Sequence, residues 1–368
     1  SDPIQSKQTT SSPDHDSTTM QARQQQQKQQ SSPTLRYHTC NILNRTVTFP
    51  LVPHFIIAGV QKSGTTAFME FLNEHPQIQA SNMAETHFFD WRVPSEMQLE
   101  KWLAERGWQH PLPTEDMNCA LQQEYSTNFN VTSDKTIYFE KTPSYLFLTR
   151  VPKLITNLCF WKPKIIVILR NPIDRAFSHY RMGVRTEGQP FEKLIDQEVE
   201  HLKQIGLSYA PHRRSHLNPQ QPQQNFSIPT HWSADTLEEL HWKHYRKMFS
   251  KNYLQRGMYV TQLKHWLQYF TLANNTTRTE NATNNQNDTH HNTHEQEDQR
   301  GSLLVLNYER FKKQPEQVFT QLLEFVGAST PFVPAEGFGT LYNRHDDGQR
   351  TMRPKTRNYL SALFRPYN

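Results

Sequence analysis

Cysteine is scarce in this 368-residue sequence, and no long apolar run is present. Its three cysteines, Cys40, Cys119 and Cys159, are too few and too scattered for a metal cluster or a dense disulfide framework. They allow one disulfide with one thiol left over, or no disulfide at all. The sequence also shows no signal peptide, no membrane-spanning segment, no internal repeat and no spacing typical of metal ligands. We therefore expect a protein that needs no metal.

Apolar residues are few as well, at 35% of the chain with a mean hydropathy of −0.82. Two polar segments account for this: residues 1–35 are rich in Gln, Ser and Thr, and 274–300 in Asn, Thr, Gln and His. Neither segment can bury enough apolar surface to offset its ordering entropy, so we expect both to be disordered. The predicted organisation is a flexible stem over 1–49 and one folded domain over 50–368. A Pro-, Gln- and His-rich surface excursion at 207–235 and the polar insert at 274–300 interrupt that domain.

Acidic residues are outnumbered by basic ones, which gives a formal net charge of +5. Basic residues recur in groups at 213–214, 243–247, 312–313 and 350–357. A solvated surface explains any one of these groups. Together they favour a polyanionic partner, either a sulfated sugar or a nucleic acid.

Seven Asn-x-Ser/Thr sequons occur, and four of them lie in the Asn- and Thr-rich insert, where chance alone produces them. The other three, at Asn44, Asn130 and Asn225, are better evidence for a secretory route. The chain begins without Met, so we expect it to be the lumenal part of a protein whose membrane anchor lies outside this sequence.

The most informative stretch is an apolar run over 55–59 that leads into the loop GVQKSGTT at 59–66. A buried strand, a glycine loop and a helix aim backbone N–H groups and a helix dipole at one point, which suits a phosphate. Gly59 and Gly64 keep the glycine spacing of a P-loop, but Thr65 stands where its lysine should be, and Lys62 lies inside the loop. We interpret this as a phosphate cradle with altered chemistry; the alternative is a strand–turn–helix with incidental glycines.

A second strand–helix unit covers 164–181, where a β-branched run ends at Arg170. Asn171 is placed to cap the helix and Pro172 to occupy its first turn. Ser178 falls roughly 9 Å further along the helix axis. Two such units predict an α/β protein with two phosphate sites on the edge of the sheet where ligands bind.

The rest of the folded part gives weaker signals. We predict a helix over 97–108, irregular chain over 119–134, an amphipathic helix over 259–270 and a strand over 303–307. A further helix should start at Pro315 and end at Gly327.

Taken in order, these stretches resemble the sulfotransferase family that uses 3′-phosphoadenosine 5′-phosphosulfate (PAPS), most of all the Golgi enzymes that sulfate glycosaminoglycans. The resemblance spans about 50 to 368 and is carried by 59–66 (GVQKSGTT), 85–91 (ETHFFDW), 140–145 (EKTPSY), 169–178 (LRNPIDRAFS), 306–311 (LNYERF) and 364–368 (FRPYN). It implies a P-loop-like three-layer fold with a central parallel sheet flanked by helices. The disulfide that these relatives carry late in the chain has no counterpart here, because all three cysteines precede residue 160.

The resemblance also implies which residues bind the donor. The loop would hold the 5′-phosphosulfate, an arginine and a serine the 3′-phosphate, and a loosely matching arginine near the C-terminus would assist. The corresponding residues of this sequence are Lys62, Ser63, Gly64, Thr65, Thr66, Arg170, Ser178 and Arg350.

Four residues acquire catalytic roles by the same resemblance. Glu85 corresponds to the general base, Lys62 and Lys141 to lysines near the donor, and His87 either orients Glu85 or is the base itself, as in the cytosolic relatives. If 85–87 is a strand, its residues at i and i+2 share one face, so both side chains can face the acceptor. Glu85 could instead simply pair with a surface cation, and Lys141 could be structural.

The implied function is transfer of the sulfuryl group of PAPS to a hydroxyl, less readily an amine, of an anionic polysaccharide in the Golgi lumen. No metal and no nucleic acid partner are implied. Two alternatives remain open at this point: a P-loop kinase of a small metabolite, which the missing P-loop lysine disfavours, and a non-catalytic binder of sulfated glycans.

Overall fold

A six-stranded parallel sheet forms the centre of the fold in the computed structural model of the chain. The described residues are 35–93, 101, 104–105, 113–132, 135–182, 188–204, 252–273, 301–339, 351–365 and 368. The predicted excursion at 207–235, the insert at 274–300 and Arg350 lie outside them. The helix predicted over 97–108 lies mostly outside them as well.

The strand order brings the ends of three strands together in the middle of the sheet. The strands are β3 (Phe55–Gly59), β4 (Ile78–Ala80), β5 (Ile137–Lys141), β6 (Lys164–Leu169), β7 (Phe270–Leu272) and β8 (Gly301–Asn307). They follow the order β4-β5-β3-β6-β8-β7, with every neighbouring pair parallel. The central strand β3 is buried throughout, as expected for an apolar strand covered on both faces. The carboxyl ends of β5, β3 and β6 therefore lie side by side.

Helices cover both faces of the sheet. They are α1 (Thr65–Asn73), α2 (Thr114–Ser126), α3 (Arg150–Leu158), α4 (Pro172–Arg181), α5 (Phe191–Gln204), α6 (Tyr259–Trp266), α7 (Tyr308–Lys313), α8 (Pro315–Val326) and α9 (Pro354–Phe364). Phe68 and Phe319 belong to the core on one face, and Ile155 and Trp266 to the core on the other. The predicted three-layer α/β fold is confirmed. None of the described helices is long and apolar enough to cross a membrane.

Local capping signals located two helices correctly. The Asn171 side chain accepts hydrogen bonds from the N–H groups of Ile173 (3.0 Å) and Asp174 (3.3 Å) and so starts α4. Helix α8 begins at Pro315 and ends at Val326, and the predicted stop Gly327 is its C-cap, with a left-handed φ of 83°. By contrast, the amphipathic helix predicted over 259–270 ends earlier, at Trp266.

The prediction of a flexible stem over 1–49 is wrong for its last part, which forms a hairpin. Strands β1 (Tyr37–Ile42) and β2 (Arg45–Pro50) pair antiparallel around Leu43 and Asn44. Both turn residues have positive φ, 46° and 64°, as a two-residue type I′ turn requires. The sequence signal was weak because Leu43 stands where Asn or Gly is usual.

The prediction of irregular chain over 119–134 is wrong for its first half, because α2 continues to Ser126. Helix α2 packs on the hairpin, where Cys119 and Ala120 contact Ile42 and Phe49 in a small apolar cluster. A disulfide joins Cys40 to Cys119, and Cys159 is a buried free thiol. Helix α2 was missed because it depends on this tertiary partner rather than on a strong apolar stripe of its own.

Candidate active site

The loop between β3 and α1 forms one wall of the candidate site. Gly64 is the N-cap of α1 and provides no side-chain cap. The first N–H groups of α1 consequently have no acceptor within the helix, and the helix dipole adds positive potential at the same point. The loop predicted to cradle a phosphate therefore has the backbone geometry for an anion.

Two residues fix the shape of this loop. The buried Ser63 hydroxyl donates to the Val60 carbonyl (2.5 Å) and accepts from the Val60 N–H (3.1 Å). Gly64 has a φ of 81°, and a Cβ on it would lie 2.6 Å from the ring of Tyr308. Only glycine fits there without displacing the ring. Because the Ser63 hydroxyl is already bonded within the loop, its contact with a donor stays a prediction.

Arg170 comes from the end of β6 and reaches this loop. Its Nη1 donates to the Lys62 carbonyl (2.8 Å), and its guanidinium lies 5.2 Å from the centre of the Tyr308 ring. Its buried Nε has no hydrogen-bond partner. Burial, followed by the charges of Arg170 and Arg175, lowers the pKa of Lys62. A bound polyanion would relieve this repulsion between cations.

A second wall begins at the end of β5, where Lys141 lies beside Ile57 of β3 in the sheet register. Lys141 is almost fully buried, and its Nζ donates to Glu85 Oε1 at 3.0 Å. Burial by itself would raise the pKa of the Glu85 carboxyl. The hydrogen bond from His87 and the charge of Lys141 outweigh that effect and lower the pKa. Glu85 is therefore a carboxylate at neutral pH.

His87 is held between two carboxylates. Its Nε2 lies 3.3 Å from Glu85 Oε2, and its Nδ1 lies 2.9 Å from Asp90 Oδ2. Burial opposes protonation, but the hydrogen bonds to Asp90 and Glu85 raise the pKa of His87 to about 9. The ring also stacks on Trp91, with centroids 3.8 Å apart and planes 3° from parallel. His87 is thus an imidazolium near neutral pH and has no free lone pair with which to accept a proton.

Sequence reasoning missed Asp90 as a site residue. Asp90 is buried, and its Oδ2 accepts the Ser144 hydroxyl at 2.6 Å in addition to His87. The spacing of three residues between His87 and Asp90 was visible, but it brings the side chains together only because Phe88–Arg92 forms a single π-helical turn.

The structure brings Glu85, His87 and Lys141 together, as the resemblance implied, but not by the expected route. Residues 85–87 do not form a strand. His87 has a left-handed φ of 49° instead, and the chain turns back so that its ring meets the Glu85 carboxylate. Thr65 and Thr66 open α1, and Ser178 lies partly buried on α4. The donor-binding roles of these three residues remain predictions.

In the described part of the chain, no group of three or more His, Cys, Asp and Glu side chains is arranged to hold a metal ion. The expectation of metal-free chemistry stays a prediction.

A parallel sheet, a glycine loop that leads from its central strand into a helix, and a cation after the neighbouring strand define a P-loop-like α/β fold. The particular family follows from comparison: a sequence profile described as the sulfotransferase domain matches residues 52–276. That range is more than half of the chain. The chain therefore belongs to the sulfotransferase domain family, and the family predicted from the sequence is confirmed.

Several curated relatives are named for heparan sulfate. The human heparan sulfate glucosamine 3-O-sulfotransferase 3B1 is 29% identical over 60% of this chain and 39% of its own length. The mouse bifunctional heparan sulfate N-deacetylase/N-sulfotransferase 4 is 25% identical over 89% of this chain and 30% of its own length. The chain thus spans less than half the length of these two relatives. The crystal structure of a sulfotransferase from Alicyclobacillus acidocaldarius is 23% identical and covers 86% of this chain and 92% of its own, with a TM-score of 0.48.

Proposed function

We propose that this protein transfers the sulfuryl group of PAPS to a hydroxyl of a heparan sulfate-type polysaccharide. The observation that carries the proposal is the contact of Lys141 and His87 with Glu85, beside the strand that leads into the anion-binding loop. A carboxylate that is ionised at neutral pH and oriented by two cations has lone pairs that can accept a proton from a hydroxyl. The sulfotransferase family and the heparan sulfate relatives supply the donor and the acceptor class.

The donor fits the residues on the loop side of the site. The uncapped start of α1 would hold the 5′-phosphosulfate, and Lys62 lies in the loop just before this helix. The unpaired Nε of Arg170 offers a donor for the 3′-phosphate, and Ser178 would add a hydroxyl. Arg350, outside the described residues, is proposed only as an additional contact.

In the proposed reaction, the acceptor oxygen attacks sulfur while Glu85 takes the hydroxyl proton. The bond between sulfur and the bridging phosphate oxygen breaks, and adenosine 3′,5′-bisphosphate leaves with the negative charge. Lys62 and Lys141 stabilise charge that develops on the oxygens around sulfur, and His87 keeps Glu85 in position. Positioning and electrostatic stabilisation are expected to dominate in this type of transfer.

A secretory location is part of the proposal. Asn44 and Asn130 are exposed and can carry glycans, and the disulfide between Cys40 and Cys119 is typical of an oxidising compartment. We propose the Golgi lumen, with a type II anchor outside this sequence.

The direct test is to incubate the protein with PAPS labelled in its sulfur and a panel of acceptors: heparan sulfate, N-deacetylated heparan sulfate, chondroitin sulfate and an unsulfated glycan. We expect label on an oxygen of heparan sulfate. Phosphate transfer from ATP and Mg²⁺ would support a kinase instead. Tight glycan binding without any transfer would support a non-catalytic binder.

A further inference from the structure

A fully buried carboxylate lies directly behind the residues that hold Glu85. Glu140 is on β5, next to Lys141, and its side chain is 0% exposed. It accepts hydrogen bonds from the hydroxyls of Thr86 and Tyr125, and from that of Thr142 at 2.9 Å. None of the ion pairs found within the described residues includes Glu140. Hydroxyls rather than cations compensate its charge.

The hydrogen bonds around Glu140 form a chain whose direction is fixed, because the groups at one end can only donate and the carboxylate at the other end can only accept. The backbone N–H groups of Phe88 and Phe89 can only donate, and both point to the Tyr145 hydroxyl at 3.0 and 3.2 Å. With its lone pairs engaged, Tyr145 donates its own proton towards Thr86 (3.1 Å) or Glu140 (3.3 Å). Thr86 in turn donates to Glu140. Every bond in this chain ends on an ionised carboxylate, which can only accept.

These bonds anchor the segment that carries the proposed base. Thr86 lies between Glu85 and His87, and Phe88 and Phe89 begin the turn that brings Asp90 to His87. A protonated or amide side chain at position 140 would place a donor where Thr86 and the tyrosines also donate. One or more of these bonds would then break, and the 86–89 backbone would lose its attachment to β5.

We propose that Glu140 is a positioning residue for the transfer reaction. Its carboxyl group must be ionised to hold the 85–90 segment in its working geometry against Lys141. The proposal rests on the proposed function for its effect on turnover, but not for its effect on the backbone of 86–89.

The expected pH dependence follows from the surroundings of Glu140. Burial, and to a smaller extent the charge of Asp90, raise the pKa of Glu140, the hydrogen bonds from the hydroxyls partly offset this, and the pKa is about 6 as a result. The titratable groups around it are Tyr125 on α2, Tyr145, Asp90 and the Cys159 thiol. The two tyrosines and the thiol are uncharged at neutral pH, because burial raises their pKa values. Because the folded pKa lies above that of a free glutamate, acidification through pH 6 should favour folding through Glu140 while it lowers turnover.

The activity test compares Glu140→Gln with Glu198→Gln. Glu198 is the matched control because it is also a buried carboxylate, but it accepts backbone N–H groups from 253–255. We expect Glu140→Gln to lower kcat about tenfold or more at pH 7.5, equivalent to a lost charged hydrogen bond, with donor KM nearly unchanged. In the wild type, kcat should fall as the pH drops through about 6, and this acid limb of the pH profile should be absent in Glu140→Gln. Glu198→Gln should keep that limb even if it is destabilised.

A second measurement does not require activity. Hydrogen exchange at the Phe88 and Phe89 amides, corrected for intrinsic rates, should be about tenfold faster in Glu140→Gln. In the wild-type protein, protection should fall as pH drops below 6. If Glu140→Gln does not fold, Thr86→Val interrupts the same chain of bonds. It should likewise lower kcat and speed hydrogen exchange at the Phe88 and Phe89 amides.

The outcomes separate the two proposals. Faster exchange in the variant, with no sulfate transfer by the wild type, would retain the positioning role and reject the proposed function. Wild-type transfer with an unchanged kcat, acid limb and exchange in Glu140→Gln would reject the positioning role alone.

Discussion

The two walls of the candidate site are built in different ways. The donor wall, around the β3–α1 loop, is built mainly from backbone N–H groups and a glycine in the left-handed region, with the side chains of Lys62 and Arg170 beside them. The acceptor wall consists of side chains, and its parts come from two segments that are far apart in the sequence, 85–90 and 141–144. A wall made of backbone depends on a short run of sequence, whereas a wall made of side chains depends on the whole fold. Mutations should therefore act differently on the two walls.

The largest effect is expected on the acceptor wall, from Glu85→Gln. The change keeps the shape and removes the proton acceptor, so turnover should fall on the order of 10²-fold or more. Because the donor wall is intact, adenosine 3′,5′-bisphosphate should still raise the melting temperature. Turnover at matched nucleotide occupancy measures this. If Glu85→Gln stayed near wild type while His87→Ala were inactive, the roles of the two residues would be reversed.

The second-largest effect is expected on the donor wall, from Gly64→Ala, which tests whether backbone geometry builds this wall. Gly64→Ala forces a Cβ into the Tyr308 ring at a left-handed φ, and we expect a loss of about 2–4 kcal/mol in the free energy of unfolding. Gly337→Ala is the matched control, because Gly337 has a φ of 69° but nothing within 4 Å of an added Cβ. Gly337→Ala should lower the free energy of unfolding by only about 1–2 kcal/mol. Equal losses in urea unfolding would show that the Tyr308 contact is unimportant.

Arg170→Ala should weaken donor binding by about 10- to 100-fold, since it removes the charged hydrogen bonds that we propose for the 3′-phosphate. In Arg170→Ala, the rise in melting temperature caused by adenosine 3′,5′-bisphosphate should approach the small rise expected for ATP with Mg²⁺. Arg45→Ala, at the exposed start of β2, is the control for loss of one positive charge. An unchanged nucleotide preference in Arg170→Ala would place the 3′-phosphate elsewhere.

The same contrast explains what the sequence could and could not predict. The loop, the Asn171 cap and the Gly327 stop were predictable because each depends on a few neighbouring residues. The link from His87 to Asp90 was not, since it requires a left-handed residue followed by a π-helical turn. Glu140 was hidden for a different reason: its partners are spread over 86–145 and meet only in the folded protein.

The smallest effect concerns the charge of His87. Its pKa in the folded protein, about 9, lies above the ordinary value of 6.5. The stabilisation that this provides should be complete below pH 6.5 and disappear as pH rises through about 9. Because Glu85 and His87 are partly exposed, the contribution should be less than about 1 kcal/mol. Melting curves of the wild type and His87→Gln should differ most at pH 6 and converge by pH 10. A difference that stayed constant with pH would mean that His87 acts by packing on Trp91 rather than by its charge, and that Lys141 alone sets the low pKa of Glu85.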